Sequence, residues 1–319
     1  MGGDDAPEAI VAGAVEAVRA GERVVLVGDR ARLEPLLPRR GRPDVVHSPV
    51  AIAMDDGPVA VRRRENASVR VAMGLVKDGR ACAAVSCGNT GATLVAAILD
   101  LGVADGVERP AIATVLPRAD GGRLVLLDAG ANVDCRPEQL ASFALLGVAY
   151  AEALGMRNPR VGLLSNGEED RKGNMQVRAT LPLLRELPIL VVGNVEPPAA
   201  MEGACDVLVC DGFVGNILLK AAEGAVTTVV GLLREEVRRS VPGMTGAFLL
   251  RGAIERFRDR VAWDAHGGAL LLGTGGLVVV GHGRANPVAV HRAVELARRS
   301  SEQGLLDALS KRLGDRVSR

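Results

Sequence analysis

The chain has 319 residues, with 39 Lys and Arg against 38 Asp and Glu and a formal charge of +1, a balance that argues against a dedicated nucleic-acid binder. Aromatic residues are 2% and hydrophobic ones 48%, so stacking on bases or sugars is poorly served while a large core is available. Glycine is in excess at 39 residues, which points to tight turns and close backbone approaches.

The opening Gly2-Gly3-Asp4-Asp5 is polar and acidic, unlike a signal peptide. No apolar run reaches ~18 residues, so no spanning helix is expected, and the compartment reads as cytoplasmic and reducing. Glu8 to Ala20 is helical by spacing, with Ile10, Ala14, Val15 and Val18 on one face. Arg23 to Asp29 is a strand ending in a turn. Asn66 to Asp78 is a helix stopped by Gly79, Ala81 to Ser86 a buried strand, and Thr90 to Leu101 a helix closed by Gly102. Arg123 to Asp128 is a strand, and Pro137 to Leu154 a helix with Pro in its first turn. Val161 to Ser165, Ile189 to Gly193 and Cys205 to Cys210 are three more short apolar strands.

Ala221 to Trp263 departs from this rhythm, with long helical pattern broken at Ser240-Val241-Pro242-Gly243. Its second part, Gly246 to Arg260, carries one apolar stripe of Ala247, Leu250, Ile254 and Phe257. Seven Arg and four acids lie between Arg234 and Arg260, a local +3, and the region reads as a helical hairpin projecting from the core. The tail from Pro287 is a helix followed by a basic, frayed end. Apolar runs alternating with helices mark a mostly parallel sheet covered on both faces, with ligands held beyond the strand ends.

Polar clusters do follow the strands. Ser86-Cys87-Gly88-Asn89-Thr90-Gly91 joins a buried strand to a helix, where small residues let backbone N–H groups meet an anion. No Lys-Ser/Thr follows, so it is not a Walker loop. Asp128-Ala129-Gly130-Ala131-Asn132 follows the next strand. Asn166-Gly167-Glu168-Glu169-Asp170-Arg171-Lys172-Gly173-Asn174 follows another. The chain has four lysines among its 39 basic residues, so Lys172 among glycines suggests a compact point charge for phosphate or an oxyanion. Cys210-Asp211-Gly212-Phe213-Val214-Gly215-Asn216 repeats the pattern ahead of an apolar helix carrying Lys220, and Gly193-Asn194-Val195-Glu196 ends one more strand. His266 and His282 flank the glycine-broken apolar run Ala269 to Val280, neither beside a triad partner. Cys87 at a helix N-terminus is a candidate nucleophile with nothing to pair it to a base. The five cysteines include two C-x4-C pairs but no His pair, so free thiols are expected and no metal centre. The composite suits a transfer in which phosphate is itself the nucleophile and the protein supplies positioning and electrostatics.

Taken in order, these loops resemble the bacterial phosphate acyltransferase (PlsX) family over nearly the whole chain: Met1-Gly2-Gly3-Asp4 with Ala6-Pro7-Glu8, the Ser86 and Asp128 loops, Gly167-Glu168-Glu169 with Lys172-Gly173-Asn174, Gly193 to Glu196, Cys210 to Asn216, and Gly267-Gly268 before Leu271-Leu272-Gly273. The resemblance implies transfer of a fatty acyl group from acyl carrier protein to inorganic phosphate, giving acyl phosphate for phospholipid synthesis. It implies a single α/β/α domain over residues 1–319, similar to phosphotransacetylases and isocitrate-type dehydrogenases, with the hairpin at 222–262 as an insertion. It further implies a homodimer, no cofactor, and peripheral contact with the inner face of the cell membrane beside a downstream glycerol-3-phosphate acyltransferase. By the same resemblance, Lys172 and Asn216 form the reacting centre. Ser86, Gly88, Asn89, Thr90 and Gly91 cradle phosphate, and Asp128, Asn132, Glu168, Asn174, Asp211 and Gly215 shape the substrate cleft. Leu250, Ile254, Phe257, Arg251 and Arg258 would meet membrane, carrier protein or dimer partner. The family pattern places a strand before Gly2-Gly3-Asp4, which is expected to be missing here, and often has His where Asp5 stands. Transfer from a coenzyme A thioester, as in a phosphotransacetylase, and a non-catalytic scaffold for lipid enzymes are the competing readings. A dehydrogenase of the related fold lacks the G-x-G-x-x-G signature.

Overall fold

The computed structural model describes residues 1–239, 241–261 and 267–317. Their elements run α1 (Glu8–Arg19), β1 (Val25–Gly28), α2 (Arg30–Leu33), β2 (Asp44–His47), α3 (Ser68–Lys77), β3 (Ala83–Ser86), α4 (Thr90–Leu101), β4 (Ala111–Pro117), β5 (Arg123–Leu127) and α5 (Pro137–Ala153). Then follow β6 (Arg160–Leu164), α6 (Met175–Arg185), β7 (Leu190–Val195), α7 (Pro197–Glu202), β8 (Val207–Val209), α8 (Gly212–Arg238), α9 (Val241–Leu249), α10 (Arg251–Val261), β9 (Ala269–Leu272), β10 (Leu277–Val280), α11 (Pro287–Glu302) and α12 (Leu305–Val317).

Eight strands form one mixed sheet in the order β3-β10-β9-β4-β5-β8-β6-β7. β5, β8, β6 and β7 run parallel, and β3 runs parallel to β10. β4 and β9 join these halves through antiparallel pairs, so β3 and β10 point opposite to β5, β8, β6 and β7. The register lines up one row across the sheet: Val85, Val279, Leu270, Ala113, Leu127, Val209, Leu163 and Asn194. Both sets of strands end just beyond this row, so their loops leave from the middle of the sheet in opposite directions. β4, β9 and β10 were not resolved as strands from the sequence. β9 and β10 form a hairpin whose turn is held by the Thr274 hydroxyl donating to the Gly276 carbonyl at 2.8 Å.

The core is apolar on both faces. α5 is buried from Gln139 to Ala151 and lies between the sheet and neighbouring helices. The tail is not frayed as expected: α12 buries Leu305, Leu309 and Leu313 in the same cluster. The predicted hairpin also differs. α8 ends at Arg238; Val241, Pro242 and Gly243 of the expected break open α9 instead, and the stripe from Ala247 to Phe257 is divided by a turn at Leu250 between α9 and α10. Ser240, Trp263 and His266 lie outside the described residues. Contrary to the sequence reading, α8 is long and apolar enough to cross a membrane by length and composition, yet its first turn is built into the sheet-end loops.

β1 does not join the main sheet, as a single parallel sheet would require. It pairs with β2 alone, in parallel. β1 and β3 instead line a cleft of about 890 Å³ whose walls include Ile10, Ala14, Leu26, Met73 and Val85. The α1–β2 unit is held chiefly by α1 against α11. Any side chain at Gly13 would meet the Pro287 carbonyl oxygen at 2.5 Å, so the helices touch there because Gly13 has none.

Candidate active site

Asp128, at the end of β5, is fully buried. Its Oδ1 accepts from the backbone N–H of Ile112, Gly130 and Ala131 at 2.9–3.0 Å. Its Oδ2 accepts from the N–H and the side-chain amide of Asn132 at 2.7 and 2.8 Å. Burial pushes this carboxyl above its ordinary range, and the five donors oppose that push. A carboxylate so surrounded has no oxygen left for substrate. Asp128 shapes the loop and does not touch what the loop binds. Asn132 is likewise buried, giving its remaining donor to Pro110 O at 2.8 Å and accepting from Gly212 N–H at 2.7 Å.

α8 is seated on this loop. Asp211 caps it, accepting from Val214 N–H at 2.8 Å. A Cβ at Gly215 would stand 1.9 Å from the Asp128 carbonyl oxygen, so a side chain is excluded where helix and loop touch. Gly130 lies against Asn216, where a Cβ would be in ordinary contact at 3.6 Å from Asn216 Oδ1, so its φ of +140° rather than space calls for glycine. Asn216 is exposed on the next position of α8.

Lys172 follows the neighbouring strand β6. Its aliphatic stem lies over Gly167, where a Cβ would meet it at 2.7 Å, and its N–H closes a turn onto Glu169 O at 2.9 Å. The loop is fixed from β7 by buried Asn194, which donates to Glu169 O at 2.9 Å. Asn166 accepts from Gly173 N–H at 2.9 Å, and Asn174 caps α6 through Val177 N–H at 2.9 Å. Lys172 is half-buried, while Glu168 and Asn174 are exposed. The Lys172 and Asn216 loops therefore extend from adjacent strands on one edge.

The Ser86–Gly91 loop leaves the opposite half of the sheet. The Ser86 hydroxyl pairs with Thr93 Oγ1 at 2.7 Å, which itself donates to Asn89 O at 3.0 Å, so the Ser86 proton is engaged. Asn89 caps α4 through Ala92 N–H at 2.9 Å, and its amide donates to Met54 O at 3.0 Å and Asp56 O at 2.9 Å. Neither side chain has a donor left for phosphate. What remains open is the backbone: the N–H groups of Gly88, Asn89, Thr90 and Gly91 have no partner among the described residues. Gly88 is pressed against Gly2, and Asp4 N–H reaches Gly283 O at 2.8 Å. Cys87 is buried, and burial pushes its thiol up to about 11, which removes it as a nucleophile at neutral pH. All five cysteines are unpaired.

Sequence reasoning missed one group. His282, after β10, contacts the Lys220 ammonium, which also bonds Glu223 Oε2 at 2.8 Å. These residues are 62 positions apart from the histidine's side, so no local pattern reveals them. The hairpin residues predicted to meet a partner are on the surface: Leu250, Ile254 and Phe257 are 59%, 48% and 53% exposed, beside exposed Arg251. The Arg258 side chain lies outside the described residues.

Comparison with known proteins matches residues 1–307 to the family described as "Fatty acid synthesis protein". The chain is 45% identical to the phosphate acyltransferase of Leptospira biflexa over 324 residues, covering 99% of this chain and 95% of that protein. It is 47% identical to the phosphate acyltransferase of Thermus thermophilus over 315 residues, covering 98% and 96%. Among solved structures, a phosphotransacetylase from Streptococcus pyogenes superposes with a TM-score of 0.63 at 17% identity, covering 93% of this chain and 92% of that one. That likeness carries the fold.

Proposed function

The chain belongs to the family of fatty acid synthesis proteins, and on that premise we propose that it transfers a fatty acyl group from acyl carrier protein to inorganic phosphate. A phosphate oxygen attacks the thioester carbonyl carbon, the tetrahedral oxyanion collapses, and the C–S bond breaks. Acyl phosphate forms, and the carrier thiolate leaves and takes up a proton. Phosphate is anionic and nucleophilic at neutral pH, so the protein's tasks are to hold it against the neutral thioester and to stabilise the oxyanion. The near full-length likeness to phosphate acyltransferases carries this reading. The scaffold supports it: Asp128 and Asn89, whose polar atoms are engaged, together with Asn132 and the cap at Asp211, hold loops that leave Lys172, Asn216 and the Gly88–Gly91 amides open. Lys172 holds phosphate or the thioester oxyanion, and the Asn216 amide donates to the same oxygen.

Incubation with acyl-carrier protein and phosphate is expected to release free carrier thiol and acyl phosphate. Lys172→Ala should stay folded and lose about 10²- to 10³-fold in turnover. No thiol release by freshly folded wild-type protein would refute the assignment. Faster transfer from a coenzyme A thioester would instead make the protein a phosphotransacetylase. Unchanged function of Lys172→Ala would make it a scaffold.

The finer proposals follow from the same reading. The enzyme works as a homodimer at the inner face of the cell membrane, handing acyl phosphate to a glycerol-3-phosphate acyltransferase. α9 and α10 are its contact with the bilayer, since exposed Phe248, Leu249, Leu250, Ile254 and Phe257 lie beside arginines that suit an anionic leaflet.

A further inference from the structure

α8 connects the two halves of the site. Asn216, Lys220 and Glu223 are spaced four and three apart, so they share one face of the helix, with Asn216 and Lys220 about 6 Å apart between Cβ atoms. At its start the helix rests on the Asp128 loop. Two turns later it reaches the loop after β10, where Lys220 contacts His282 Nε2. That loop adjoins the Ser86–Gly91 loop: Gly281 N–H donates to Ser86 O at 2.8 Å, and a Cβ on Gly281 would meet Cys87 Sγ at 2.4 Å. Lys220 is therefore linked, one turn after Asn216 and through the loop after β10, to the loop whose amides are open.

The chemistry of the cluster is that of a poised cation. An ammonium has three donors and no acceptor. One Lys220 donor goes to Glu223 Oε2 at 2.8 Å and one toward His282, whose Nε2 accepts it in the neutral ring, leaving a third free. Glu223 Oε2 lies 3.9 Å from His282 Nε2, so both partners hold the ammonium from one side. Lys220 and His282 are 44% and 53% exposed, so the pair with Glu223 is a surface ion pair that an incoming dianion can outcompete. Asp4 pairs with Arg284 at 3.5 Å on the same loop, and Arg284 is 86% exposed, so Lys220 is the cation here that a carboxylate and an imidazole hold in place. A tethered Lys beside open backbone amides is an arrangement suited to a tetrahedral oxyanion.

We propose that Lys220 binds a phosphate-type oxyanion together with the amides of Gly88 to Gly91, with His282 and Glu223 positioning its ammonium. This deepens the assignment as an acyl-to-phosphate transferase and rests on it. The oxyanion has two sources, inorganic phosphate or the phosphodiester that links the carrier's thiol arm, and kinetics separate them. In Lys220→Met, KM for phosphate is expected to rise about ten- to a hundredfold with KM for acyl carrier protein unchanged if the anion is inorganic phosphate. The reverse pattern identifies the phosphodiester. Lys220→Arg should recover part of the loss, and His282→Gln, which keeps an acceptor toward the ammonium, should be milder than His282→Ala.

Equilibrium titration with inorganic phosphate, followed by ³¹P line broadening, gives a readout independent of turnover. If wild-type protein shows no acyl transfer but Lys220→Met weakens phosphate binding, the site stands and the activity assignment falls. If the folded Lys220→Met protein keeps wild-type KM values for both substrates and wild-type phosphate binding, the proposal is overturned.

Discussion

Replacing Gly215 by Ala tests whether the seat of α8 on the Asp128 loop sets the position of Asn216. The added Cβ would start 1.9 Å from the Asp128 carbonyl oxygen and 2.9 Å from Cys210 Sγ, so the first gap must open to at least 3.4 Å. The loop cannot recoil, because five hydrogen bonds hold the Asp128 carboxylate. The helix must lift instead, against its cap at Asp211. Overpacking of this kind costs about 3 kcal/mol, a fall of roughly 4–5 °C in melting temperature for a chain of this size. A lift of more than an ångström at Asn216 should lower turnover about 10²-fold. Gly224→Ala on the same helix is the control. Nothing lies within 4 Å of its Cβ, so the change should be neutral or gain up to about 1 kcal/mol through helix propensity. Circular dichroism melts and single-turnover acyl transfer measure both. A Gly215→Ala protein with wild-type melting and turnover would refute the reasoning.

Asp128→Asn puts an NH₂ group against inward-pointing N–H donors and should cost about 3 kcal/mol, read as a lower urea midpoint at unchanged slope. Burial alone would raise the Asp206 carboxyl, but hydrogen bonds and charge from Arg160 and Arg118 bring it down to about 2, against 3.8 ordinarily. The folded pKa is depressed, so the stabilisation is present above about pH 4 and lost as pH falls from there toward about 2; it is worth about 1 kcal/mol after screening, and Asp206→Asn should flatten the acid limb of a stability–pH curve. Leu250→Glu with Ile254→Glu should weaken binding to anionic liposomes and leave turnover with soluble substrates intact. Lost turnover together with dimer dissociation would assign those residues to the dimer interface instead.

The loops were legible in the sequence because each follows an apolar strand and carries its own glycines and caps. Asn89, Asn174 and Asp211 cap the helices that their positions predict. What the sequence left open was which polar atoms those caps consume. Asn89 and Ser86 look like phosphate ligands in one dimension, and prove to be bonded to Met54, Asp56 and Thr93. The reversal of strand direction was also hidden. It depends on β4 and β9, whose short apolar runs carry no mark of orientation. The Lys220–His282 contact depends in turn on that reversal, since it brings the loop after β10 beneath the third turn of α8. The hairpin stripe was read correctly as residues and wrongly as one helix, because the turn at Leu250 falls on an apolar position that breaks no pattern.

The separation of β1 and β2 from the main sheet has a thermodynamic consequence for the site. The lobe from α1 to β2 leans on the rest through α1 and α11 and through the Glu22–Arg298 ion pair at 2.7 Å. Its leading residues, Gly2 to Asp4, also form the rim that presses Gly88 and holds Gly283. Opening of the lobe would therefore loosen the anion loop with it. By linkage, an anion bound at Gly88 to Gly91 favours the closed lobe as surely as the closed lobe favours the anion. Saturating phosphate should therefore slow amide exchange in β1 and β2, strands that no phosphate oxygen touches.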